Sequence, residues 1–334
     1  LNFDVMHIIW SFSDRSTLFT FRKTCRDYRH EVIRYILKED VILNLERPAK
    51  ISSFLHFVQA DPTYRVWSLR GLVIASFDSM DNDTAKASDG LHSTVALLTA
   101  VTNHPNRLLR LAIHNVEEIL EMTPSIYPLV VQLSNLQELR LFSAGNASSR
   151  LVTSLPVHLR RTSLVTMWHY HVPGLSGPDT NPLLLLQNHT DTLEECVLGD
   201  VTIPPDAPVY HCLTTLRLQY IPDYHVERYV HAFPNLQFLH LDYDNMEDSA
   251  TMDAEMGLAQ MDHTRARNMS NQEHWGTWPR LRVYDGPIAV LYVLGLQCPI
   301  ADLRLNDDDD SQVHFGMLPL VLQEAVPSHL ALRI

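Results

Sequence analysis

Eighteen histidines in a chain of 334 residues invite a search for metal ligands and proton carriers. Trp168-His169-Tyr170-His171 alternates two imidazoles, which places both on one side of the chain if the segment is a strand. His225 and His231 form a second pair. No acid or cysteine stands at ligand spacing to complete a metal set with either pair, so hydrogen-bonded or solvated imidazoles are expected. Asp307–Asp310 is a run of carboxylates without the Gly and distal Glu of a calcium loop, and reads as a solvated acidic loop. The chain has no G-x-S-x-G elbow, P-loop, H-E-x-x-H or dinucleotide fingerprint, and its 11 glycines leave little for phosphate cradles. The expectation is a protein that is not an enzyme and holds no cofactor or metal. A catalytic alternative needs a pocket of converging titratable groups, most plausibly around His169 and His171.

A second constellation suits binding. An apolar-x-x-apolar-x-apolar frame recurs at Leu69/Leu72/Ile74, Leu108/Leu111/Ile113, Leu136/Leu139/Leu141 and Leu193/Cys196/Leu198. It returns at Leu213/Leu216/Leu218, Leu236/Leu239/Leu241 and Ile300/Leu303/Leu305. On a strand, the residue between the last two aliphatics faces away from them. Those residues are Val73, Ala112, Arg140, Val197, Arg217, His240 and Arg304, a basic bias on a chain of net charge 26 − 39 = −13. Arg140, Arg217, His240 and Arg304 are therefore candidate contacts for an acidic or phosphorylated protein substrate, through bidentate arginine contacts. The alternative is that these arginines keep a strand surface hydrated.

The elements that would carry these residues are short parallel strands. NLQELRL (135–141) and NLQFLHL (235–241) are nearly identical, CLTTLRL (212–218) shares their frame, and several frames follow a helical stretch and a Pro. This unit of strand, return segment and next strand resembles a leucine-rich repeat, in which the aliphatics stack on those of neighbouring repeats. The frames are unevenly spaced, and Ala144 and Asp244 stand where that family has Asn. Further strands are expected near 159–164, 281–283 and 330–334. The fold class is α/β, either an irregular leucine-rich-repeat solenoid or an irregular α/β domain with Leu-rich parallel strands. Insertions are expected near 78–90, 172–182 and 242–274. The last carries Met246, Met252, Met256, Met261 and Met269, either core filling or a plastic binding face.

The first residues have a separate logic. Leu1, Val5, Ile8, Ile9 and Phe12 recur at steps of three and four, one face of a short helix. Asp14 and Ser16 supply turn and cap chemistry, and Leu18, Phe19, Phe21 and Cys25 resume an apolar stripe. An αα-hairpin of this size buries little core, so its apolar face is expected to meet a partner. The order Leu1, Asp4, Val5, Ile9, Phe12, Asp14, Leu18, Thr24-Cys25-Arg26 resembles an F-box, over roughly the first 40 residues. Asn2 stands where that family has Pro, and Ser13 where it has an apolar residue. The resemblance implies a linker-docking domain at 1–40 and a repeat domain at 41–334. It implies that Leu1, Asn2, Val5, Ile8, Ile9, Phe12 and Leu18 contact the linker subunit of a cullin–RING ubiquitin ligase. With the cullin scaffold as the further partner, the chain then reads as a substrate-recognition adaptor. Two alternatives stay open: a non-enzymatic repeat scaffold, and a plain helical cap on a larger core.

Composition bounds partners and setting. An apolar content of 46% with 19% charged residues describes a folded chain, and the net negative charge argues against a nucleic-acid partner. Cys25, Cys196, Cys212 and Cys298 are scattered without a C-x-x-C pair, which suggests a cytoplasmic or nuclear setting. Sequons at Asn82, Asn146, Asn188 and Asn268 arise readily by chance at this composition, and no apolar run is long enough to span a membrane.

Overall fold

The computed structural model describes residues 3–24, 26–76, 84–105, 107–166, 181–199, 201–219, 224–241, 257–306 and 316–333. Two compact units, Leu1–Leu159 and Arg160–Ile334, divide the chain. The first opens with α1 (Phe3–Phe12), α2 (Arg15–Thr24) and α3 (Arg26–Ile36). It continues through β1 (Asp40–Asn44), α4 (Pro48–Gln59), α5 (Pro62–Ser68), β2 (Gly71–Ala75), α6 (Thr84–Thr102) and β3 (Arg110–Ile113). It closes with α7 (Val116–Met122), α8 (Ile126–Val131), β4 (Glu138–Ala144) and α9 (Asn146–Thr153). The second unit runs β5 (Arg161–Thr166), α10 (Pro182–Leu185), β6 (Glu195–Leu198), β7 (Thr215–Leu218), α11 (Val226–Ala232) and β8 (Phe238–Leu241). It ends with α12 (Leu258–Trp275), β9 (Leu281–Pro287), α13 (Ile288–Leu294), β10 (Ile300–Asn306), α14 (Leu318–Ala325) and β11 (His329–Arg333).

The protein is mixed α/β, and its strands pair in parallel with their neighbours in the chain. In the first unit the order is β1-β2-β3-β4. In the second it is β5 through β11. Each apolar frame ends in a strand whose aliphatics stack in register. Leu72, Leu111 and Leu139 form one column, and Ile74, Ile113 and Leu141 another. Cys196, Leu216, Leu239, Tyr284 and Leu303 do the same in the second unit. All of these side chains are buried. Alternation along a strand puts the intervening residues on the other face, so one slip of register would expose the whole column. The weaker candidates became β5, β9 and β11. The strand β1 went unanticipated: the buried Leu37 before it and Val41 and Leu43 within it are spaced one residue wider than the frame.

The expected insertions need correction. Residues 84–90 of the 78–90 segment open α6 rather than a loop, and 77–83 lie outside the described residues. Of 172–182, only Asn181 and Pro182 are described, and the Asn181 side chain caps α10 by accepting from Leu183 N at 3.0 Å. Residues 258–274 belong to α12, where Met261 is buried as core filling; Met246, Met252 and Met256 lie outside the described residues.

The burial of α13 explains the polar face of α12. All seven side chains of IAVLYVL are buried, so the carbonyls at its C-terminal end have no water to turn to. Three side chains of α12 at i, i+3 and i+7 supply donors. Arg265 Nη1 reaches Tyr292 O at 2.7 Å, Asn268 Nδ2 reaches Val293 O at 2.9 Å and Gln272 Nε2 reaches Gly295 O at 2.7 Å. Arg265 also meets Glu324 of α14. The sequon residue Asn268 is fully buried here, which removes it as an acceptor on the folded chain.

Candidate functional site

Two surfaces carry the residues singled out by sequence. The first is the N-terminal helices. The hairpin is a three-helix arrangement with a core of its own: Met6, Trp10, Leu18, Val32 and Ile36, flanked by Phe21, Tyr28 and Tyr35. Trp10 packs edge-on to Tyr28 at 5.3 Å and to His7 at 5.2 Å. Met6 and Trp10, spaced i and i+4, take the inward side of α1, so the 5/8/9/12 stripe faces outward. Phe12 is 87% exposed and Ile8 60%, and Val5, Ile9 and the additional Phe3 are exposed as well. Leu18 is a correction: at 4% exposure it is core, not a docking contact. Leu1 and Asn2 lie outside the described residues, as does Cys25 of the Thr24-Cys25-Arg26 signature.

Local chemistry holds these helices in place. The Asp14 Oδ1 accepts from Thr17 N at 2.7 Å and from Ser16 Oγ at 2.9 Å, capping α2. The Thr17 amide holds the Asp14 carboxyl below its usual range. Ser13 Oγ donates to Ile9 O at 2.8 Å, so the unexpected serine satisfies a carbonyl at the end of α1.

The second surface is the strand face opposite the aliphatic columns. In the second unit Val197, Arg217, His240, Asp285, Arg304 and Ala331 stand in register across six strands. Arg217 is exposed, while His240 Nδ1 lies 3.8 Å from Asp285 Oδ2 and Arg304 Nη1 4.0 Å from the same oxygen. Arg304 also grips Asp302 Oδ2, with Nε at 3.0 Å and Nη2 at 2.6 Å. The hydrogen bond to Asp302 raises the Arg304 pKa further. The basic bias inferred from single positions is thus offset by two carboxylates. Asp285 was missed because Tyr284 and Gly286 follow Leu281 in β9 where the frame has aliphatics. Asp302 was missed because only one of the two outward positions per strand was considered; strand alternation would have shown it.

In the first unit, Val73, Ala112 and Arg140 share a register row, and Arg140 pairs with the buried carboxylate of Glu138. The row beside it holds Asp40, Gly71, Arg110 and Glu138. The first unit's strand face is therefore also a charged ladder of mixed sign.

The remaining histidine and acidic candidates are described only in part. His225 Nδ1 pairs with Glu227 Oε1 at 2.9 Å instead of joining His231 in α11. His169, His171 and Asp307–Asp310 lie outside the described residues. Among the described residues, no group of three or more His, Cys, Asp or Glu could hold a metal ion, and no helix is long and apolar enough to cross a membrane. Burial pushes the Cys298 thiol up to about 11 and the Cys196 thiol higher still, which keeps both protonated and unreactive. No protein-family model matches this chain, and a search of curated proteins finds no match.

Proposed function

We propose that the protein is a substrate-recognition adaptor of a cullin–RING ubiquitin ligase, without catalytic residues of its own. The observation that carries this reading is the division of α1 into two apolar sides. Met6 and Trp10 are spent on the core, while Val5, Ile8, Ile9 and Phe12 remain exposed. A stripe of four large apolar side chains on one short helix is what a helix-docking partner buries. The α1–α3 helices would bind the linker subunit and, through it, the cullin scaffold. The strand faces would hold a protein substrate near the ubiquitin-loaded enzyme, so that the contribution is effective concentration. Arg140, Arg217, His240 and Arg304 are the proposed substrate contacts. An acidic or phosphorylated segment must displace Asp302 and Asp285 to engage Arg304 bidentately, which favours a multiply charged segment over a single carboxylate.

The test is co-purification with the linker subunit at micromolar concentration. Wild-type chain should retain it, and Ile8→Ser/Phe12→Ser should lose it while melting at an unchanged temperature. Absence of binding by the folded wild-type chain would instead favour the non-enzymatic scaffold reading.

A further inference from the structure

The strand β1 pairs with β2 on one side only, which leaves its other edge open within the first unit. Arg15 Nη1 reaches the Asp40 carbonyl at 3.5 Å, and Leu45 N on the opposite side donates to Ala75 O. Backbone direction alternates along a strand, so the peptide groups of Ile42 face the open edge. Beside that edge runs α4. Its N-cap Arg47 and its residues Lys50, Ile51 and Phe54, spaced i, i+3, i+4 and i+7, share one side of the helix and with Val41–Asn44 line a groove of about 570 Å³. Ile42 is 61% exposed at the rim and Ile51 is buried at the floor. Arg47 and Lys50 are exposed, and no described carboxylate is within ion-pair distance of either. The first turn of α4 holds no acidic residue and its N-cap makes no side-chain bond, so the positive end of the helix adds to the two cations.

We propose that this groove takes an extended acidic-aliphatic peptide segment of a partner protein by strand addition to β1. Main-chain bonds to the open edge would supply affinity, an aliphatic side chain would lie against Ile42 and Phe54, and a carboxylate would meet Arg47 and Lys50. Charge complementarity selects the occupant. Two unpartnered cations repel a basic segment and reward an acidic one, and the chain as a whole carries net negative charge, which disfavours a second copy. The site is separate from the exposed side of α1 and borders the first unit's outward strand face, where Ile42 stands in register with Val73; it stands whether or not the ligase reading holds.

The experiment selects displayed random octapeptides on the full chain, then measures synthetic versions of the enriched peptides by fluorescence polarisation. The expected peptides combine β-branched or aliphatic residues with Asp or Glu. Arg47→Glu/Lys50→Glu should weaken them tenfold or more, with an unchanged melting temperature because both side chains are exposed. The same peptides N-methylated at alternate amides should lose binding to a similar degree, which contact through side chains alone does not predict. Recovery of no acidic peptide overturns the proposal, as does equal binding by the double variant. A wild-type dimer in sedimentation that Ile42→Lys converts to monomer also overturns it, by assigning the edge to a second copy.

Discussion

Arg110 reaches across a whole strand to Asp40: its Nε lies 2.8 Å from Asp40 Oδ1, although β2 runs between them. Gly71 makes this possible. It is the register partner of both residues, and a Cβ there would sit 1.8 Å from Asp40 Oδ1 and 3.1 Å from Arg110 Nη2. Gly71→Ala should therefore displace the ion pair. Both charges are about one-third exposed, so the loss is modest, about 1 kcal/mol. In an Asp40→Ala background the same change should be close to neutral, and urea denaturation of the four-member cycle measures that non-additivity.

Glu117 of α7 caps α9 from a distance. Its carboxylate accepts from Ala147 N at 2.6 Å, Ser148 N at 3.1 Å and Ser148 Oγ at 3.0 Å. Glu117→Ala should cost about 1–2 kcal/mol, the range for losing an N-cap that satisfies several amides. Ser148→Ala should cost a similar amount, since the Ser148 Oγ bonded to Glu117 also accepts from Gly145 N at 2.7 Å. Denaturant midpoints compare the variants.

Gln272 bridges α12 to the end of α13 and also accepts from Gln297 N at 3.0 Å. Gln272→Ala should destabilise by about 2–3 kcal/mol, because it leaves buried carbonyls and an amide without partners. Gln272→Glu should fare worse than an ordinary isostere, since a carboxylate cannot donate to Gly295 O. Chemical denaturation measures both.

Leu18 and Phe12 should separate folding from docking. Leu18→Ala removes a core side chain and should cost about 2–4 kcal/mol. Phe12→Ser changes a side chain that is 87% exposed and should leave the melting temperature within a degree or two.

His114 supplies a pH dependence. It stacks on Phe142 at 4.5 Å, and burial lowers its pKa below the ordinary 6.5. The unfolded chain then binds more protons than the folded one once the pH drops below 6.5. The stability is complete above that value and is lost as the pH falls through the lowered folded value. His114→Leu should flatten the fall in melting temperature between neutral and mildly acidic pH, followed by circular dichroism.

Much of the architecture is legible in the residues because it rests on local period. Alternation inside each frame dictates which aliphatics go inward, and the columns of Leu72/Leu111/Leu139 and Leu216/Leu239 follow from it. The α1 stripe was legible for the same reason, as a face of period 3.6. That period cannot say which apolar face is inward when two compete. Met6 and Trp10 outbid Val5 and Ile8 only because Val32 and Ile36 of α3 fold back onto them. The same limit hid the polar side of α12: no local period shows that Arg265, Asn268 and Gln272 supply donors to the carbonyls of α13.

The sequence by itself determined the strand frames, the outward positions of Arg140, Arg217, His240 and Arg304, and the apolar stripe at the N-terminus. Tertiary structure alone decided what stands next to those positions. Cross-strand neighbours depend on the register reached after each return segment, and no local period encodes a register. So Asp285 came to lie between His240 and Arg304, Gly71 between Asp40 and Arg110, and the side of α4 bearing Arg47 and Lys50 beside the open edge of β1.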